Sequence, residues 1–214
     1  MLNKKNPLLI VISGPTGSGK TTIAKRVVGE METATFSISH TTREKRPDEV
    51  DGVDYHFVSE VDFLEMVKNG EFLEHAKVHK SLYGTHKNEW ERAKKEGKDL
   101  ILDIDVQGGE QVLKSFDDAI LIFVLPPSFD ELIRRIFKRK EENDFDLETR
   151  LKTALRELDF ADNYHYNIIN EKVDAVVEEI KEIVQASRKR SFYLKEFRQS
   201  FKMKIERYLR DKNV

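Results

Sequence analysis

An α/β sandwich with a mainly parallel sheet is the fold class this sequence predicts, on three observations. Continuously apolar runs at residues 8–13, 100–106 and 120–125 have the texture of strands covered on both faces. Segments of helical periodicity lie between such runs, the alternation that builds a parallel sheet. A glycine-rich turn, Gly14 to Thr21, joins the first run to the first helix.

The elements follow in order. Residues 8–13 form the first strand and 20–31 the first helix. Short strands are predicted over 36–39 and 53–58, with Asp51-Gly52 as the turn between them. Ser59-Glu60-Val61-Asp62 resembles a capping box that opens a helix to about residue 69, closed by Gly70. A strand over 72–78 and a helix over 87–96, stopped by Gly97, come next. Strands at 100–106 and 120–125 lead to Pro126-Pro127, which breaks the chain before a helix running to about residue 140. The acidic, glycine-free EENDFDLE, residues 141–148, predicts a mobile connection to a helix over 149–159. Residues 166–169 read as a last short strand, and helices fill the remainder. The strand-rich stretch from about 36 to 90 predicts an insertion on the main sheet.

At 214 residues, with 39% hydrophobic and 36% charged content, the chain fits one compact unit with insertions. The absence of cysteine excludes disulfides and thiolate metal sites and fits a reducing, cytoplasmic compartment. The N-terminal apolar run is too short for a signal peptide, and no stretch approaches the roughly 20 residues of a membrane span. His75 and His79 have a helical metal spacing, but FLEHAKV at 72–78 reads as strand and there is no HExxH pattern, which argues against zinc. Charge is uneven: from Arg188 onward ten Lys/Arg face three Asp/Glu, whereas the preceding part is acidic. Nucleic-acid or membrane contact is one reading of such a tail. The recurrence of Phe192, Phe197, Phe201, Ile205, Tyr208 and Leu209 favours another, an amphipathic helix laid either on the body or, in a homodimer, on a second copy; nucleic acid is not expected.

The strongest chemical signal is GPTGSGKT. Gly14, Gly17 and Gly19 let the backbone of Gly14, Pro15, Thr16, Gly17, Ser18 and Gly19 curl so that N–H groups face phosphate oxygens, and the helix N-terminus that follows favours negative charge. Lys20 reaches the outer phosphates, the Thr21 hydroxyl can hold Mg²⁺, and Thr22 follows on the helix. A nucleoside triphosphate is the expected ligand. In LILDIDVQG, Asp103 and Asp105 are two apart on a strand end and so share one face of a ligand crevice. They can order magnesium-bound water, orient arginines or bind a base.

Together, GPTGSGKT, FSISHTTREKRPDEVDGVDYHFVS, FLEHAKV, YGT, LILDIDVQG, IFVLPPSFDELIRRIFKR and ETRL, in that order over roughly residues 8–170, resemble the guanylate kinase family. The resemblance implies a three-layer P-loop nucleoside monophosphate kinase fold, with a core at about 1–35, 97–127 and 156–214. It further implies a GMP-binding subdomain at about 36–96 and a mobile lid at about 128–155. It implies transfer of the γ-phosphoryl of ATP to GMP, and to dGMP, with Mg²⁺. Arg43 and Arg46, with Tyr55 and Tyr83, would clamp the GMP phosphate, forked guanidinium donors suiting its oxygens. Glu74 would accept from guanine N1–H and N2–H, while Ser39 and Thr85 donate to O6. Asp105 would contact the guanine edge, and Asp103 would hold an acceptor-side arginine or magnesium water. Lys20, Arg43 and the lid arginines Arg135, Arg139 and Arg150 would stabilise the moving phosphoryl group, with Arg134 a bystander.

The lid sequence FKRKEENDFDLETR, a glycine in QGG at 107–109 where the family often has alanine, and the long basic tail depart from the family's common pattern. The same fold also serves in noncatalytic scaffolding modules that bind peptides at the acceptor site. An intact phosphate loop and a full set of arginines disfavour that alternative.

Overall fold

A computed structural model of the chain describes residues 6–78, 80–138, 147–191 and 194–212. Five strands, β1 (Leu9–Ser13), β2 (Ala34–Phe36), β7 (Asp99–Asp103), β8 (Ile120–Leu125) and β9 (Tyr166–Ile169), form a parallel sheet in the order β2-β7-β1-β8-β9. Parallel neighbours need crossover connections, supplied by the helices α1 (Lys20–Glu30), α3 (Lys87–Glu96), α4 (Val106–Ser115), α5 (Phe129–Lys138) and α6 (Leu147–Leu158), while α7 (Val173–Ser187) follows the last strand and packs back on α1. Every residue of the central strand β1 is buried. Ile10 and Ile12 face a cluster with Ile23 and Val27 of α1 and Val177 and Ile180 of α7. Leu9 and Val11 face the opposite cluster with Ala93 of α3 and Val112 of α4. Helices on both faces make the three layers, and burial on both faces is why β1 reads as an unbroken apolar run.

A second sheet, in the order β4-β3-β6-β5, comprises β3 (His40–Thr41), β4 (His56–Phe57), β5 (Phe72–Val78) and β6 (Ser81–His86), covered by α2 (Glu60–Lys68). Strand β6 pairs antiparallel with both β5 and β3. Ser59 caps α2 as its sequence predicts, its Oγ accepting from Asp62 N at 3.1 Å.

Several expectations shift. The strand expected over 36–39 ends at Phe36, and that expected over 53–58 is reduced to His56–Phe57, with an isolated bridge from Tyr55 to Asp51 before it. The run expected as a strand to Val106 ends at Asp103, because the Asp105 carboxylate accepts Gly108 N at 3.0 Å and caps α4 instead. Sequence reading missed α4 itself, whose Gly108 and Gly109 oppose helix propensity, and β6, which carries Gly84. Most of EENDFDLE, together with Arg139, His79 and Phe192, lies outside the described residues. The basic tail forms α8 (Lys195–Lys212), but Phe197, Phe201, Ile205 and Leu209 stay exposed, so the expected packing of that stripe onto the body is not found. No helix among the described residues is long and apolar enough to cross a membrane.

Candidate active site

The phosphate loop sits between the buried β1 and α1. Gly14 has φ 149°, and a side chain there would overlap the Val124 carbonyl oxygen, so only glycine lets the loop leave the sheet at this point. Gly19 caps α1 at φ 93° with no side-chain hydrogen bond to the helix, leaving first-turn N–H groups for an anion. Pro15 and Ser18 are buried, while Thr22 is exposed. Lys20 Nζ donates to Gly14 O at 3.2 Å. Arg135, on the helix after the double proline, donates to Ser18 O at 3.0 Å and pairs with Glu131 at 2.6 Å. A predicted lid arginine is thus seated on the phosphate loop. Gly17 lies beneath Leu132 and Ile136 of the same helix.

Next to the loop is a cavity of about 480 Å³ whose wall combines Thr16 and Thr21 with Arg43, Arg46, Tyr55, Tyr83, Asp103 and Arg150. Strand β7 delivers Asp103, the 43–55 segment delivers the arginines and Tyr55, and α6 delivers Arg150, which is buried. The Arg43 guanidinium donates to Glu49 at 2.6 Å and to Glu44 O at 2.7 Å, and it lies 5.5 Å from the Tyr55 ring centroid. Burial, with Asp103 adding to it, pushes the Tyr55 hydroxyl up to about 12.

A polar cluster on the second sheet adjoins this wall, and its Ser39 also lines the cavity. Glu74 is only 3% exposed, and its Oε1 accepts Thr85 N at 2.9 Å. Ser39 Oγ and Thr85 Oγ1 are 3.3 Å apart. Burial pushes the Glu74 carboxyl up to about 7; Thr85 opposes the shift and the charge of Asp105 reinforces it. Asp105 shares this corner through Gly108: its carboxylate accepts from Gly108 N at 3.0 Å and from Gln107 Nε2 at 2.9 Å, and Gly108 itself lies against Glu74 Oε2. His40 packs against His56 and His86, with ring centroids 4.6 and 5.7 Å away, and is not part of the cavity wall.

The fold thus gathers residues from distant parts of the chain, and it adds some that sequence reading did not single out. Glu49 holds Arg43 and accepts Arg46 N at 2.9 Å. Glu157 is buried and accepts Thr16 N at 3.1 Å, and Asn170 Nδ2 donates to Ser18 O at 2.7 Å. Glu49 was detectable, as an acid three residues after Arg46. Glu157 and Asn170 reach the loop from more than 140 positions away, and no local pattern marks them. Arg134 is exposed and pairs with Glu131.

Comparison with known proteins places these features in context. A family model described as guanylate kinase matches residues 6–187. The guanylate kinase of Thermotoga maritima is 44% identical over 198 residues, covering 92% of this chain and 96% of the relative. That of Clostridium perfringens is 42% identical over 200 residues, covering 92% and 93%. The crystal structure of guanylate kinase from Anaplasma phagocytophilum superposes with a TM-score of 0.73 at 31% identity, covering 87% of this chain and 89% of that one.

Proposed function

The chain belongs to the guanylate kinase family, and on that premise we propose that it transfers the γ-phosphoryl of ATP to GMP, and to dGMP, by the residues described above. The observation that carries the reading is a cavity whose one wall joins the phosphate loop, the acceptor arginines and Arg150. Two anionic substrates must be brought together there against their mutual repulsion. The loop N–H groups and Lys20 receive the triphosphate, while Arg43, Arg46, Tyr55 and Tyr83 seat the GMP phosphate, which would displace Glu49 from Arg43. Arg135 and Arg150, with Arg139, stabilise charge on the moving phosphoryl group as the lid closes. Phosphoryl transfer asks little covalent chemistry of a protein, so alignment and cancellation of charge make up its contribution.

The Thr21 hydroxyl and the Asp103 carboxylate are hard oxygen donors on the same wall, a set that suits Mg²⁺. When bound, the ion neutralises charge on the phosphates. At the base end, ionised Glu74 accepts from guanine N1–H and N2–H, the hydroxyls of Ser39 and Thr85 serve O6, and Asp105 lies at the guanine edge. Adenine would leave these buried groups unpaired, a mismatch that gives discrimination on the order of 10⁴ in sites built around hydrogen bonds.

The reading also assigns residues of about 36–96 to the GMP-binding subdomain, about 128–155 to the lid and the rest to the core, and the protein to the cytoplasm. It includes a homodimer through α8, supported by that helix's exposed apolar stripe and by its basic charge set against an acidic body. Sedimentation of the full chain checks the dimer. ADP formation from Mg-ATP with GMP, dGMP, AMP, UMP and dTMP in turn tests the reaction. Turnover with GMP and dGMP is expected; turnover with AMP or UMP but not GMP would overturn the acceptor assignment.

A further inference from the structure

Helix α4 starts with an unfavourable composition. Two of its first four residues, Gly108 and Gly109, are the poorest helix formers after proline, yet neither has the positive φ that would require glycine. The reason lies in the space around them. A Cβ at Gly108 would overlap Glu74 Oε2 and stand 3.0 Å from Glu74 Cδ and 3.2 Å from Ile104 Cδ1. Only a residue with no side chain lets the Glu74 carboxylate lie flat against the helix. At Gly109 the same position is taken by the Tyr164 hydroxyl.

The strand carrying Glu74 needs such support. Strand β5 is an edge of its sheet, and its pairing with β6 is irregular between Phe72 and Glu74, so the ladder alone sets the direction of Glu74 weakly. One turn after Gly108, Gln111 engages the next residue of β5 on both sides: its Oε1 accepts His75 N at 3.1 Å and its Nε2 donates to His75 O at 2.7 Å. Its amide stands in for the missing neighbour strand. Gln107 adds a longer contact to Lys77 O, 3.5 Å. Helix α4 grows from the end of β7 in the main sheet, so the base-reading carboxylate is aligned by the core as well as by its own subdomain.

We infer that Gly108 and Gln111 are positioning residues for acceptor specificity, Gly108 setting the depth of the Glu74 carboxylate and Gln111 fixing the β5 backbone beside it. The inference rests on the reading of Glu74 as the acceptor of guanine N–H groups. The test is a double-mutant cycle read in steady-state kinetics. Gly108→Ala should raise the KM for GMP about tenfold while changing kcat at saturating GMP less than about threefold, because a displaced Glu74 weakens base binding rather than phosphoryl transfer. In a Glu74→Gln background the same substitution should change KM less than about twofold, since its effect passes through the carboxylate. Gln111→Ala, which leaves a good helix former at that position, should also raise KM with little change in kcat and keeps the test decisive if Gly108→Ala folds poorly. Equal KM increases from Gly108→Ala in both backgrounds, or an unchanged KM in both Gly108→Ala and Gln111→Ala, would overturn the inference. An unchanged KM in Glu74→Gln alone would remove the base-reading role of Glu74, and the inference with it.

Discussion

Replacing Glu74 with glutamine should flatten the dependence of stability on pH between about 4.5 and 7. Burial raises the folded-state pKa of this carboxyl from 4.5 to about 7, so within that window the folded protein keeps a proton that the unfolded chain has released. Stability from this group is complete below the unfolded value and declines as pH rises through the folded one. At about 1.4 kcal/mol per pH unit, the interval corresponds to a loss of about 3 kcal/mol between pH 4.5 and 8. Glutamine has the same shape and can accept from Thr85 N, but it does not titrate. Its amide brings a hydrogen-bonding penalty of its own, which does not depend on pH and cancels from the comparison of slopes. Urea unfolding of both proteins at intervals from pH 5 to pH 8 measures the difference directly. A wild-type curve parallel to that of Glu74→Gln would refute the burial argument. The same ionisation couples to the acceptor: guanine N–H donors need the carboxylate, so the KM for GMP should rise about tenfold per pH unit as pH falls below about 7, and Glu74→Gln should lose that dependence.

Other outcomes follow from the same geometry. Lys20→Ala should lower kcat at least about a hundredfold in the coupled ADP assay, since it removes a charge set at the phosphate loop. Arg150→Ala, which empties a buried guanidinium from the cavity wall, should cause a loss of similar size, whereas exposed Arg134→Ala should stay within about twofold of wild type. Asp99→Ala should destabilise the fold by about 3–5 kcal/mol without touching the site, because Asp99 is 1% exposed, accepts Leu8 N at 2.9 Å and pairs with Arg188. Chemical denaturation of that variant provides the measurement.

Strand β1 and the phosphate loop were legible because their constraints are local. A strand buried on both faces must be apolar at each position, and a loop that binds phosphate with its backbone must contain glycine at set places. For the same reason Ser59, Gly97 and the double proline marked element boundaries. Where glycine serves a distant neighbour, local reading fails. Gly108 reads as a helix breaker until Glu74 is seen against it, and α4 was missed on that account. The apolar stripe of α8 was legible as a helix, but periodicity carries no information about whether the body covers it, and in the structure the body does not.

By itself the sequence determined the α/β alternation, the triphosphate loop and, through the order of its motifs, a resemblance to one kinase family, because backbone conformation and burial leave a record at each residue. Only the tertiary structure decided which groups meet. It put Arg135 on Ser18, Glu157 on Thr16, Glu49 on Arg43 and Glu74 on Gly108, pairings that span between 6 and 141 positions of chain. Such contacts depend on how strands cross over and where helices come to rest, and no periodicity in the chain encodes the distance between them.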